Sequence, residues 1–219
     1  MQAQNRQTKR PWAGVAALLL ATALTGLLLA RLDLQAVLHP WYLTRAAGLI
    51  AYLMLWAAAT VGLLQSLGML KGVTGPGANL DVHEHLSLWA IYATTFHAVI
   101  LHWDRYVSFD WYELTIPFLS DYEPASVALG IGAFYLTVLV TVTTYLRSRL
   151  TPRVWRAIHL LSLPAFLFAI VHGVLLGTDA DHPFVAYVYR FTAISAGLLV
   201  ALRMLKGVRT WYANLAGRR

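Results

Sequence analysis

The chain is predicted to fold as an all-α polytopic membrane protein, a bundle of six transmembrane helices with both termini cytoplasmic. Three observations predict it. Hydrophobic residues fill 58% of 219 positions and charged residues only 12%, a balance foreign to soluble domains. Apolar runs of the roughly 20 residues needed to cross a hydrocarbon core occur near 12–30, 43–70, 84–103, 125–146, 156–177 and 184–205. Thirteen of the 17 Lys and Arg residues fall on one side of these runs, and the positive-inside rule makes that side the cytoplasm.

The first run, Trp12 to Ala30, follows Arg6, Lys9 and Arg10 and has the outline of a secretory signal. Its length, without a small-x-small cleavage site after it, predicts an uncleaved first helix. The second run descends from Leu43 to Lys71, and the third rises through His83 and His97. The long outer connection from Trp103 to Pro124 collects Tyr106, Phe109, Trp111, Tyr112 and Phe118 among several acids, a composition suited to the membrane interface. The fourth run returns to the basic loop Arg147 to Arg156, a topogenic signal that also offers a docking face to an acidic reductase. The fifth carries His159, Pro164 and His172, and the sixth ends among Arg203, Lys206 and Arg209. Residues 1–219 read as one membrane domain with no separate catalytic lobe.

The net charge of +7 is accounted for by this orientation and by attraction to anionic lipid, so no nucleic-acid partner is implied. With no cysteine, disulfides, iron–sulfur clusters and thiolate metal sites are excluded. No G-x-G-x-x-G or P-loop pattern is present. The isolated His182-Pro-Phe-Val sits in an outer loop and is read as coincidence.

Ionisable groups at membrane depth are costly and mark functional sites. His83 and His97 lie about 21 Å apart along an ideal helix, and His159 and His172 about 20 Å. Both segments run outward, so the four residues form two levels, His83 with His159 and His97 with His172. Neutral imidazole is a good axial ligand for haem iron, and bundles build cofactor sites between facing helices. Fourteen residues bring His97 within roughly 40° of His83 on one face, whereas thirteen leave His159 and His172 about 140° apart. That helix must therefore twist, kink or pass between two cofactors, and Pro164 removes a backbone donor between them. His85 competes with His83 for the inner position, but points about 120° from His97. The bland reading of each histidine is a polar contact between helices.

The stretch His83-Glu-His-Leu-Ser-Leu-Trp through Thr-Phe-His97-Ala-Val-Ile-Leu-His102, with Arg153-Val-Trp-Arg-Ala-Ile-His159 through Ile-Val-His172-Gly-Val, resembles the ferric reductase-like transmembrane domain. That family includes ferric-chelate reductases, NADPH oxidases and the bacterial haem subunit of the methionine sulfoxide reductase system. The resemblance covers the second to sixth runs and implies two b-type haems ligated by His83, His97, His159 and His172, passing electrons outward across a bacterial cytoplasmic membrane. It extends to Arg45 in Leu43-Thr-Arg-Ala-Ala-Gly-Leu and to His102, which the resemblance sets beside the outer haem. His102 falls five residues after His97 where the family pattern has four. By residue type alone, Arg45 equally suits snorkelling and His102 an interfacial place beside Trp103.

The resemblance also implies flavin- and nicotinamide-binding domains that this chain lacks. The donor is then a cytoplasmic flavoprotein, a flavin bound at the inner face, or membrane quinol. The expected function is electron transfer to ferric iron, oxygen or a partner oxidoreductase outside, either as an oxidoreductase or as the haem anchor of a two-component system. A histidine-lined cation or proton transporter is the alternative from another class.

Overall fold

The computed structural model describes residues 20–24, 39–72, 75–104 and 107–216, and the elements among them are helices without a strand. They are α1 (Pro40–Leu67), α2 (Pro76–Leu101), α3 (Trp111–Thr115), α4 (Pro124–Tyr145), α5 (Pro152–His159), α6 (Ser162–Leu176) and α7 (Pro183–Ala216), with a 3-10 turn at Arg147–Arg149. The all-α expectation holds. The first apolar run, 12–30, falls outside the described residues except for the helical positions 20–24.

Proline opens α1, α2, α4, α5 and α7. It suits that place because its fixed φ is helical and its missing N–H would have no intrahelical partner there. The helices therefore start ahead of the apolar runs, most visibly α2, which begins at Pro76 rather than near 84. Gly68, at φ 79°, ends α1 in the left-handed region and donates its N–H back to Gln65. At the other extreme, α7 continues to Ala216, well past the expected end near 205.

Among the described residues, four helices are long and apolar enough to cross a membrane: Pro40–Leu67, Pro124–Tyr145, the α5–α6 unit Pro152–Leu176, and Pro183–Thr210. The chain is thus built as an integral membrane protein. In α2 the apolar character is diluted by Asp81, Glu84 and three histidines. α1 packs mainly on α2 and α4 on α6, while α1 also meets α6 and α7. Tyr52 of α1 stacks on Phe166 of α6 at 5.8 Å and bonds Thr192 of α7. The Trp56 indole donates to Ser195 at 3.0 Å.

The break between α5 and α6 lies at Leu160 and Leu161, and its cause is Pro164. An α-helix would have the N–H of residue 164 donate to the Leu160 carbonyl, but proline has none. The Leu163 N–H takes that carbonyl instead at 3.1 Å, and Leu161 donates to Ile158 at 2.9 Å, giving 3-10 winding. Each 3-10 residue turns about 120° rather than 100°. Such winding at Leu160 and Leu161 reduces the angle between His159 and His172 from about 140° to about 100°. The expected distortion is an overwound turn.

The long connection between α2 and α4 is a packed plate. Phe109 is buried against Val127 and Ile131, with Leu101 and Leu176 beside them. Glu113, 7% exposed, accepts the backbone N–H of Asp110 at 2.7 Å and of Asp121 at 3.1 Å, closing a capping box and pinning the return of the loop. Removing that carboxylate in Glu113→Ala strands two backbone donors and costs about 2–3 kcal/mol. The expected result is a lower thermal midpoint in detergent with new proteolytic cuts between 104 and 123, whereas Tyr112→Ala on the exposed face leaves both unchanged.

Candidate functional site

The four sequence-predicted histidines project from two helix pairs, and each ring is tied through Nδ1 to the helix facing it. His83 Nδ1 lies 2.9 Å from the Ala58 carbonyl, His97 Nδ1 2.8 Å from that of Thr44, and His172 Nδ1 2.8 Å from that of Ser126. A carbonyl only accepts, so Nδ1 carries the proton and donates in all three. The contacts also fix direction. Thr44 meets His97 and Ala58 meets His83, so α1 and α2 are antiparallel with 14 residues between levels on each.

His159 reaches the same state by another route. The Thr144 hydroxyl donates to the Val140 carbonyl at 2.8 Å, leaving its oxygen to accept from Trp155 Nε1 at 3.4 Å and from His159 Nδ1 at 3.5 Å. Trp155 stacks on the His159 ring at 5.1 Å. All four rings are half-buried, and their Nε2 atoms make no hydrogen bond among the described residues. Fixing one nitrogen by a hydrogen bond to present the other is how metal-ligating imidazoles are oriented.

In one of the predicted pairs the rings meet. His83 and His159 have centroids 6.2 Å apart with planes at 61°. With metal–imidazole bonds of about 2.0 Å and ring radii of about 1.1 Å, two imidazoles on opposite sides of one metal have centroids about 6.2 Å apart. No group of three or more His, Cys, Asp or Glu that could hold a metal ion gathers among the described residues.

His85 turns away, its Nδ1 bonded to the Asp81 carbonyl of its own helix at 2.6 Å on an exposed face. His83, and not His85, is thus the histidine of this helical turn that faces His159. His102 donates Nδ1–H to Phe109 at 2.8 Å and stacks on Trp111 at 4.3 Å, fastening the outer plate to the end of α2. Arg45 stands one residue from the His97 acceptor, but its guanidinium is answered by Asp179, with Nε 2.7 Å from Oδ2, and lies over the Trp41 and Tyr42 rings. The basic loop stays open, with Arg147, Arg149, Arg153 and Arg156 exposed. Arg105 and Tyr106 lie outside the described residues.

Residues 39–179 match the family model described as Domain of unknown function (DUF8596), and the chain belongs to that family. No curated protein and no solved structure matches it.

The Thr144 relay is testable without any cofactor. In protein labelled with ¹⁵N-histidine, Thr144→Val removes the acceptor and is expected to release His159 into a mixture of tautomers while the other three stay protonated at Nδ1. Four unchanged ring signals would show that the hydroxyl does not set the tautomer.

Proposed function

We propose that this member of the DUF8596 family is a transmembrane electron-transfer protein that holds two b-type haems, one between His83 and His159 and one between His97 and His172. The observation that carries the reading is the inner pair, two rings at the separation of a shared metal, each with Nε2 free and Nδ1 held. Bound haem would supply one-electron chemistry of a potential set by ligation and burial. The chain's own work is to hold the imidazoles neutral, aim Nε2 into the bundle and shield both sites within apolar helices.

The resemblance to ferric reductase-like transmembrane domains supports the same reading. It also supports a topology of six spans with both termini cytoplasmic, in a bacterial inner membrane. Electrons would enter from a cytoplasmic flavoprotein, or a flavin at the inner face, against the exposed basic loop. They would leave to an extracytoplasmic acceptor, ferric iron, oxygen or a partner oxidoreductase, near the outer plate. The Arg45–Asp179 pair leaves that arginine less free to attract an anion than the resemblance implies, and His102 serves the plate. Anchoring a two-component system suits this chain as well as terminal reduction does. Proton transport is disfavoured by the Nδ1 bonds, because a histidine relay must exchange protons at both nitrogens while three of these face backbone carbonyls.

A reduced-minus-oxidised spectrum of the purified protein tests the proposal. We expect a b-type signal with two haems per chain, losing one haem in His97→Ala and His172→Ala and the other in His83→Ala and His159→Ala. His85→Ala should retain both. A colourless preparation from haem-replete cells would overturn the proposal in favour of the transporter.

A further inference from the structure

The three carbonyls that bind imidazoles share a second feature. Gly48 comes four residues after Thr44, Gly62 four after Ala58, and Gly130 four after Ser126. Four residues on is the next turn of the same helix face, and there each ring lies over the bare glycine Cα. A Cβ at Gly48 would stand 3.1 Å from both Cε1 and Nδ1 of His97. At Gly62 it would stand 3.1 Å from Cε1 of His83, and at Gly130 only 2.6 Å from Cε1 and 2.8 Å from Nδ1 of His172. By contrast, a Cβ at Gly197 on α7 would meet nothing within 4 Å.

The fourth place follows the same register. Fourteen residues separate Thr44 from Ala58 on α1, and fourteen separate Ser126 from Val140 on α4. Four residues beyond Val140 stands Thr144, where the other seats have glycine. Its hydroxyl spends its proton on the Val140 carbonyl and offers its oxygen to His159. A hydroxyl is thus inserted between carbonyl and ring, with Trp155 stacked alongside.

We infer that Gly48, Gly62 and Gly130, with Thr144 as the variant fourth member, are positioning residues: each forms, with the carbonyl four residues before it, a seat that fixes where one imidazole presents Nε2. The inference rests on the haem reading above. It makes a site-selective claim that general packing does not. Gly48 and Gly130 serve the outer pair from opposite helices, and Gly62 serves the inner pair.

The test is a set of glycine-to-alanine variants in the full chain, read by the low-spin electron paramagnetic signals and by redox titration of the two b-type haems. G48A and G130A are expected to shift or abolish the same one of the two signals. G62A shifts the other, and G197A shifts neither. T144G, which opens the fourth seat, moves the same signal as G62A. Where G130A fails to fold, G48A carries the outer arm, because its closest contacts would be milder. Variants that lower thermal stability while leaving both signals in place, or that move both together, overturn the inference and leave the haem reading intact. Absence of any b-type signal in the unsubstituted protein overturns that reading and this inference with it.

Discussion

One interaction organises this bundle: a histidine on one helix donates its Nδ1 proton to a backbone carbonyl of the helix it faces. A helical carbonyl already engaged by the N–H four residues on still has a second lone pair. The extra bond therefore takes nothing from the ladder, and contributes about 0.5–1.5 kcal/mol. Its greater effect is geometric. Ala58 with His83 and Thr44 with His97 fix α1 and α2 antiparallel at two heights, while Ser126 with His172 fixes the outer height of α4 against α6. The levels of the site and the register of the helices are the same quantity.

What lets the helices come that close is the smallness of what lies between them. The buried positions are dominated by alanine, Ala47, Ala51, Ala58, Ala90, Ala93 and Ala165 among them. Small residues at helix contacts are the membrane solution to packing, because lipid supplies no hydrophobic drive to bring helices together. Large aromatics fill one seam, where Tyr52, Phe166 and Tyr189 join α7 and α6 to α1.

The helical fold was legible from composition, since runs of apolar residues have no other stable form in lipid. The level that His83 shares with His159 was legible from helical rise, and Pro164 announced the distorted turn between His159 and His172. The helix starts were less so, because an apolar run marks where lipid begins and the proline ahead of it marks where the helix does. The seats went unread although their signal is in the chain. Gly48 and Gly62 are separated by 14 residues, as are His83 and His97, and matched spacing on consecutive antiparallel helices is what facing partners require. Thr144 could not be found that way, because a hydroxyl takes the place that glycine holds in the other three. The partnership of Arg45 with Asp179 spans 134 positions, and no local pattern foretells it.

The terminal helix has one more consequence. At 34 residues it measures about 51 Å, some 20 Å beyond a hydrocarbon core of about 30 Å. It is a mast whose shaft carries Arg203, Lys206 and Arg209 near its end. Lys206 reaches sideways to the carbonyls of Ser66 and Leu67, lashing the mast to the foot of the second apolar segment. A sideways pull on its tip is therefore delivered at the lower end of the very helix from which Ala58 and Gly62 hold their ring.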